Sequence, residues 1–199
     1  MPIDPEQLDA DPVRQLRAWL AEAEQRGLQL ASAFALATAS SAGEPSVRMV
    51  LLRGLDARGL TFFTDRRSRK GRDLAERPRA AAAFWWEALD RQVRAAGPIE
   101  PLAAGESTEY WRTRPAASRL SAWASVQGQP VGTREELERR VAELVNDLGD
   151  DPPLPKHWGG YRLVPERWEF WESRADRLHD RVEYLPDPGV GWRRRRLQP

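Results

Sequence analysis

Trp168-Glu-Phe-Trp-Glu-Ser-Arg-Ala-Asp-Arg-Leu-His-Asp-Arg181 changes character halfway along. Its first half alternates aromatic and acidic residues, the period-two pattern of a half-buried strand. Trp168, Phe170 and Glu172 fall on one face, Glu169 and Trp171 on the other. The second half, Arg177-Leu-His-Asp-Arg181, sets guanidinium groups on both sides of a histidine. In an extended conformation Arg177, His179 and Arg181 point the same way, because strand side chains repeat every two residues. That face then carries two fixed charges and one group that titrates near neutrality. Two readings stand. Either an anion or electron-rich ligand covers the patch, or the arginines pair with Asp176, Asp180 and Glu183 at a solvated sheet edge.

Upstream, Ala33–Ala39, Val47–Leu52, Leu60–Thr64, Ala80–Trp86 and Arg91–Glu100 are short apolar or alternating runs. Turn sequences separate them: Ser41-Ala-Gly-Glu-Pro45, Asp56-Ala-Arg-Gly59 and Glu87-Ala-Leu-Asp90. Several strands at this spacing predict an antiparallel sheet curling toward a barrel. After a rigid Asp150-Asp-Pro-Pro-Leu-Pro155 linker, strands resume at Tyr161 and continue through the stretch above to Trp192–Leu197.

Helices fill the gaps. Asp11-Pro12 reads as an N-cap followed by a first-turn proline, opening a helix to about Arg26 with Gly27 as its stop. Val13, Leu16, Leu20 and Ala23 form its packing stripe. Ser68 caps a helix that runs to about Glu76. Glu106–Arg114 is a short helix ending at Pro115, and Ser118–Ser125 adds a turn or two. Thr133-Arg-Glu-Glu136 is a capping box opening a helix to Leu148, with Leu137, Val141, Leu144, Val145 and Leu148 on one side. Strands, then helices, then strands define an α+β class. Residues 1–10 are expected to be a loose N-terminal segment, and residues 11–199 a single domain.

Composition removes several function classes. Apolar residues make up 41% and charged residues 31%, a globular balance. With 31 basic and 30 acidic side chains a general polyanion-binding surface is not expected, though the count leaves room for local basic clusters. The absence of cysteine excludes disulfides, thiol catalysis and cysteine-based metal sites. Only His157 and His179 are available, so no metal site is expected, and His157 beside Trp158-Gly-Gly160 reads as structural. No apolar run is long enough to span a bilayer, and the start lacks a secretory pattern, so no membrane partner and a cytoplasmic location are expected. Walker, Gly-x-Gly-x-x-Gly and His-Glu-x-x-His patterns are missing.

Two further stretches could hold anions. Arg48-Met-Val-Leu-Leu-Arg53 places guanidiniums at an odd separation, hence on opposite faces of an extended strand. Arginine amid aliphatic residues needs partners: bound anions, or acids on neighbouring strands. Ser68-Arg-Lys-Gly71 combines a serine cap, two cations and a glycine at a helix start, which suits a phosphate. Trp85-Trp86 is bulky and is assigned to the core.

Glu169-Phe-Trp171 followed by Arg177-Leu-His-Asp-Arg181 resembles the C-terminal signature of the pyridoxamine (pyridoxine) 5′-phosphate oxidases, from about Asp11 to the last residue. The resemblance implies an FMN-binding, Greek-key-like split β-barrel with flanking helices, working as a homodimer with FMN between the subunits. It implies FMN contacts at Arg48, Met49, Val50, Leu51, Phe63, Thr64, Arg69, Lys70, Gln92, Gln127, Gly128, Trp171 and Arg181. It gives the substrate phosphate to Arg53, Tyr110, Arg114 and Ser118. Tyr110 and Arg114 are also four apart, as on one helix face. Arg177 and His179 match the pair lying over the substrate's pyridine ring and are the candidate catalytic residues. The implied reaction oxidises pyridoxamine or pyridoxine 5′-phosphate to pyridoxal 5′-phosphate, with O2 as acceptor and H2O2 as product.

Departures from the family pattern leave room for alternatives. Arg53 stands where lysine is usual, Gly128 where serine is common, and residues 1–10 lack the Arg and Tyr of a substrate lid. The alternatives are an oxidase of dihydrophenazine-type aromatics, a non-catalytic flavin-binding barrel, and nucleic-acid binding through Arg193-Arg-Arg-Arg196. Near-zero net charge argues against the last, giving no nucleic-acid partner.

Overall fold

The computed structural model describes residues 3–199. Helix α1 (Pro12–Gln25) precedes strands β1 (Ala33–Ala39), β2 (Pro45–Leu51), β3 (Gly54–Asp56) and β4 (Gly59–Asp65). Helix α2 (Arg69–Glu76) leads to β5 (Arg79–Trp86) and β6 (Arg91–Pro101). Helices α3 (Ala104–Thr113), α4 (Ala116–Ala124) and α5 (Arg134–Leu148) follow. Strands β7 (Trp158–Leu163), β8 (Arg167–Glu172), β9 (Asp180–Asp187) and β10 (Gly191–Arg196) complete the chain.

The expected α+β split barrel is what forms. All strand pairs are antiparallel, and the main path runs β10-β9-β8-β6-β5-β1-β2. Strand β6 makes the closure. One edge pairs with β5, while the other pairs first with β8 through Ala96 and then with β7 from Ile99. The β3-β4-β7 layer thereby folds back from the main sheet. Strand β3, three residues long, escaped the sequence reading because it is too short to show periodicity.

Alternation decides which side chains enter the core. Trp168 and Phe170 are fully buried, as are Phe34, Leu36, Phe62, Phe84 and Val93. Asp11 caps α1 by accepting from the Val13 N–H, and the helix lays Leu16, Trp19 and Leu20 on this core. Trp19 meets Phe170 edge-on at 5.1 Å. Such aromatic pairs add about 1 kcal/mol beyond area burial.

Two expectations need correction. The N-terminal segment, of which Met1 and Pro2 lie outside the described residues, is not loose. Ile3 and Leu8 are buried in the core cluster, and Tyr184 donates to the Asp9 carbonyl at 2.8 Å. Arg194 and Arg196 donate to the carbonyls of Leu8 and Ile3, so backbone bonds offset the segment's ordering entropy. Trp85 is 53% exposed, and only Trp86 is core, because neighbours on β5 face opposite ways. No residue of α5 is buried; its apolar stripe leans on α4 with Val145 open to solvent.

Among the described residues no helix is long and apolar enough to cross a membrane. No three His, Asp or Glu side chains gather as a metal set among them. Arg195 pairs with Glu183 at 2.7 Å and Arg196 with Asp180 at 2.6 Å, so part of the four-arginine run is ion-paired within the chain.

Candidate functional site

Strand β4 ends beside the start of α2, and the junction gathers polar groups around Lys70. Ser68 caps α2 by accepting from the Gly71 N–H. Lys70 Nζ then donates to Gln127 Oε1 at 2.7 Å, Thr64 Oγ1 at 3.1 Å and Ser68 Oγ at 3.3 Å. Every one of these acceptors is neutral, and no carboxylate makes an ion pair with Lys70 among the described residues. Burial, reinforced by nearby Arg48 and opposed by Asp65, lowers its pKa to about 8. A buried ammonium without a direct ion-pair partner is expensive, so this geometry suits a bound anion.

Arg48 lies close by on β2. Its guanidinium donates to Thr38 Oγ1 at 2.8 Å, Ser46 Oγ at 2.7 Å and the Leu36 carbonyl at 3.1 Å. Thr38 donates onward to buried Asp73 at 2.6 Å, and Asp73 lies 3.9 Å from Arg48. Burial lowers the Arg48 pKa, Asp73 opposing and Arg69 adding to the effect. Arg69 is half exposed, 3.6 Å from Glu44. Val50 and Leu51 are half-buried, while Met49 is 64% exposed.

Phe63 divides two clefts. Its ring stacks on Tyr110 at 3.9 Å and on Trp158 at 5.4 Å. One cleft, about 240 Å³, is lined by Phe63, Thr64, Arg114, Ser118, Gln127 and Trp158. The other, about 310 Å³, includes Arg53, Arg58, Phe63, Tyr110 and Arg162. Arg114 lies over the Trp158 ring at 4.8 Å and donates once, to the Ser118 carbonyl at 2.9 Å. Its Nε is buried without a hydrogen-bond partner among the described residues. Burial lowers the Arg114 pKa; Tyr110 opposes this and Arg53 adds to it. Spare guanidinium donors beside a phenol and a hydroxyl fit a second anion such as a phosphate.

A separate group lies on the outward face of the main sheet. Gln92 is directly opposite Trp171, and Trp171 directly opposite Arg181. Arg181 binds Glu169 through two bonds, 2.9 and 3.1 Å, and Glu169 also takes Arg94. The extended Arg177–Arg181 face does not form. Residues 173–179 make a loop in which Arg177 has φ +62°, so the period-two argument fails there. His179 rests against Trp171 at 4.7 Å. Its Nδ1 accepts from the Arg174 N–H at 3.0 Å, which places the neutral ring's proton on Nε2. The Arg177 side chain has no ion-pair partner among the described residues. Arg174, not Arg177, pairs with Asp180 and Glu172.

The protomer thus assembles the expected residues in two groups. Phe63, Thr64, Lys70, Tyr110, Arg114, Ser118 and Gln127 share one region, with Arg48 and Arg53 at its margins. Gln92, Trp171, His179 and Arg181 form the other. No hydrogen bond, ion pair or ring contact joins the two among the described residues. Arg48 and Arg53 do not share a strand either, since β2 ends at Leu51. Gly128 sits at φ +85°, where a serine would be strained.

Sequence reading overlooked Trp158, the floor under Arg114, and Gly160, where a Cβ would lie 2.7 Å from Phe63. The Gly-Gly pair was the available signal. It also overlooked Thr38 and Asp73 behind Arg48. His157 Nε2 lies 3.3 Å from the Ala122 carbonyl.

Comparison with known proteins supplies the context. A family model described as pyridoxamine 5′-phosphate oxidase matches residues 20–146. Another, described as the pyridoxine 5′-phosphate oxidase C-terminal dimerisation region, matches residues 158–199. The chain is 50% identical over 194 residues to a pyridoxine/pyridoxamine 5′-phosphate oxidase of Bordetella avium, covering 98% of this chain and 92% of that one. It is likewise 50% identical over 189 residues to the Cupriavidus taiwanensis protein of that name, covering 95% and 89%. Among solved structures, PhzG from Burkholderia lata 383, in complex with tetrahydrophenazine-1-carboxylic acid, superposes with a TM-score of 0.92 at 35% identity, covering 100% and 98%. An FMN-binding protein from Nostoc punctiforme shares the fold with a TM-score of 0.75 at 23% identity, covering 92% and 97%.

Proposed function

The chain belongs to the pyridoxamine 5′-phosphate oxidase family, and from that premise we propose that it oxidises pyridoxamine or pyridoxine 5′-phosphate to pyridoxal 5′-phosphate. FMN is the cofactor and O2 the final acceptor, giving H2O2, with ammonia also released from the amine substrate after imine hydrolysis. The observation that carries this reading is the gathering of anion-ready cations around Phe63: among the described residues Lys70 has no direct carboxylate partner and the buried Arg114 Nε has no hydrogen-bond partner.

In this reading Lys70, Arg48 and Arg69 hold the FMN phosphate, helped by Thr64 and Gln127. Accepting a hydride from the substrate's exocyclic carbon and delivering electrons to O2 is the chemistry FMN supplies when bound. Arg53, Tyr110, Arg114 and Ser118 take the substrate phosphate, so binding remote from the reacting carbon fixes its position. Arg177 and His179 orient the pyridine ring, with His179 Nε2–H as a donor. Water is excluded by the aromatic walls of Phe63, Tyr110 and Trp158.

The reading also makes the enzyme a homodimer. Val47 and Met49 are 68% and 64% exposed on an outward sheet face whose centre is a groove of alanines from β1, β5 and β6. Another copy covering that face would bring the Trp171 group of one subunit toward the Lys70 group of its partner. The dimerisation-region match over residues 158–199 supports this arrangement.

A second reading, oxidation of a reduced phenazine carboxylate, is favoured by the close superposition on PhzG and by Arg53. The higher identity to the pyridoxine/pyridoxamine oxidases and the Tyr110-Arg114-Ser118 set weigh against it. Side-by-side turnover decides. Faster oxidation of pyridoxine 5′-phosphate supports the first reading, and faster oxidation of the reduced phenazine the second.

A further inference from the structure

Trp85 occupies a position that its size and exposure do not explain within the protomer. It is 53% exposed on β5, next to the fully buried Trp86. Pairing registers place it directly opposite Gln92, which faces Trp171, which faces Arg181. Directly opposed residues of antiparallel strands point to the same side of the sheet. Trp85, Gln92, Trp171 and Arg181 therefore form one row across β5, β6, β8 and β9. The Trp85 and Trp171 rings lie 5.9 Å apart, and His179 sits on Trp171 at 4.7 Å.

We infer that Trp85 is a further cofactor-contact residue, its indole extending the Trp171 wall against which the flavin ring lies. This rests on the proposed function and on the family resemblance, which implies FMN contacts at the other three members of the row. An isolated exposed apolar side chain would need no explanation. Trp85 is not isolated, because it touches a tryptophan in a row that also holds an amide and a guanidinium. An aromatic wall with hydrogen-bonding groups alongside suits a large planar heteroaromatic ring. Indole is also electron-rich, so its approach to a flavin quenches flavin emission.

The test uses full-length protein stripped of flavin and titrated with FMN, following flavin fluorescence and oligomeric state together. Trp85→Ala is expected to weaken FMN binding roughly three- to tenfold, the range of one aromatic contact. It should also raise the emission of the bound flavin. Trp85→Phe should restore most of the affinity while leaving the emission above wild type. Trp192→Phe, on the remote strand β10, should change neither. If Trp85→Ala binds FMN with unchanged affinity and emission, the inference is overturned while the proposed function stands. If its losses coincide with dissociation into monomers, Trp85 is an interface residue and the inference again fails. If wild-type protein takes up no FMN, the proposed function itself falls.

Discussion

Lys70 Nζ lies 2.7 Å from Gln127 Oε1, joining the first turn of α2 to the segment that follows α4. Residues 57 positions apart thus meet at a buried cation that no carboxylate among the described residues pairs with directly. On this account the direct ion-pair partner is the phosphate of the cofactor.

That account carries a pH dependence. In the folded, ligand-free protein burial lowers the Lys70 pKa to about 8, against about 10.4 in the unfolded chain. Between those values the unfolded chain holds the extra proton, so Lys70 makes stability rise with pH there. A bound phosphate reverses the shift, because it favours the ammonium. FMN affinity is therefore expected to fall as pH rises from 8 to 9.5. Lys70→Met should bind FMN more weakly and lose that slope. Fluorescence titrations across this range check it; an identical slope in both proteins would place the titration elsewhere.

Arg114→Ala should raise the KM for pyridoxine 5′-phosphate by about 10- to 100-fold, the value of charged hydrogen bonds to one phosphate. Bound FMN should stay at wild-type stoichiometry. Arg114→Lys should rescue little, since a point charge cannot reproduce a fork lying over Trp158. Steady-state kinetics with flavin content measured on the same samples would expose a cofactor effect instead.

Gly160→Ala tests the seat of Phe63. The added methyl would sit 2.5 Å from Leu102 and 2.7 Å from Phe63, so the ring must move. A stability loss of about 1–3 kcal/mol is expected from overpacking, with a KM increase exceeding that of an equally destabilised variant away from the site. Denaturant unfolding and kinetics together separate the two effects.

Burial alone would raise the Glu169 carboxyl, but hydrogen bonds from Arg181 and Arg94 outweigh it and hold the group below its ordinary range. A depressed carboxylate stabilises the fold above its unfolded pKa, and that stabilisation is lost as pH falls through the native value. Glu169→Gln should cost about 2 kcal/mol near neutrality, less than a fully buried pair because Arg94 is half exposed. The gap from wild type should narrow in acid. A constant gap from pH 7 to pH 4 would mean that the charge is not what matters.

Legibility in the sequence followed local physics. Asp11, Ser68 and Thr133 each cap a helix where an oxygen-bearing side chain precedes an amphipathic run. Trp168 and Phe170 went inward because alternation leaves one face for the core. The loop at Arg177 broke the same rule, since a positive φ cannot be read from composition. Trp85 was misassigned for a related reason: two adjacent tryptophans on a strand cannot both enter one core. The α5 stripe showed an apolar face without showing whether its own chain covers it. Trp158 beneath Arg114 depends on β7 returning beside β4, a long-range pairing without a local signature.

The most direct test of the central claim, that this fold holds a flavin against a phosphorylated pyridine, is the visible spectrum of the purified protein under anaerobic conditions. Flavin bands that bleach on addition of pyridoxamine 5′-phosphate and return with air are the expected result. A flavin spectrum that pyridoxamine and pyridoxine 5′-phosphate leave unchanged would contradict it.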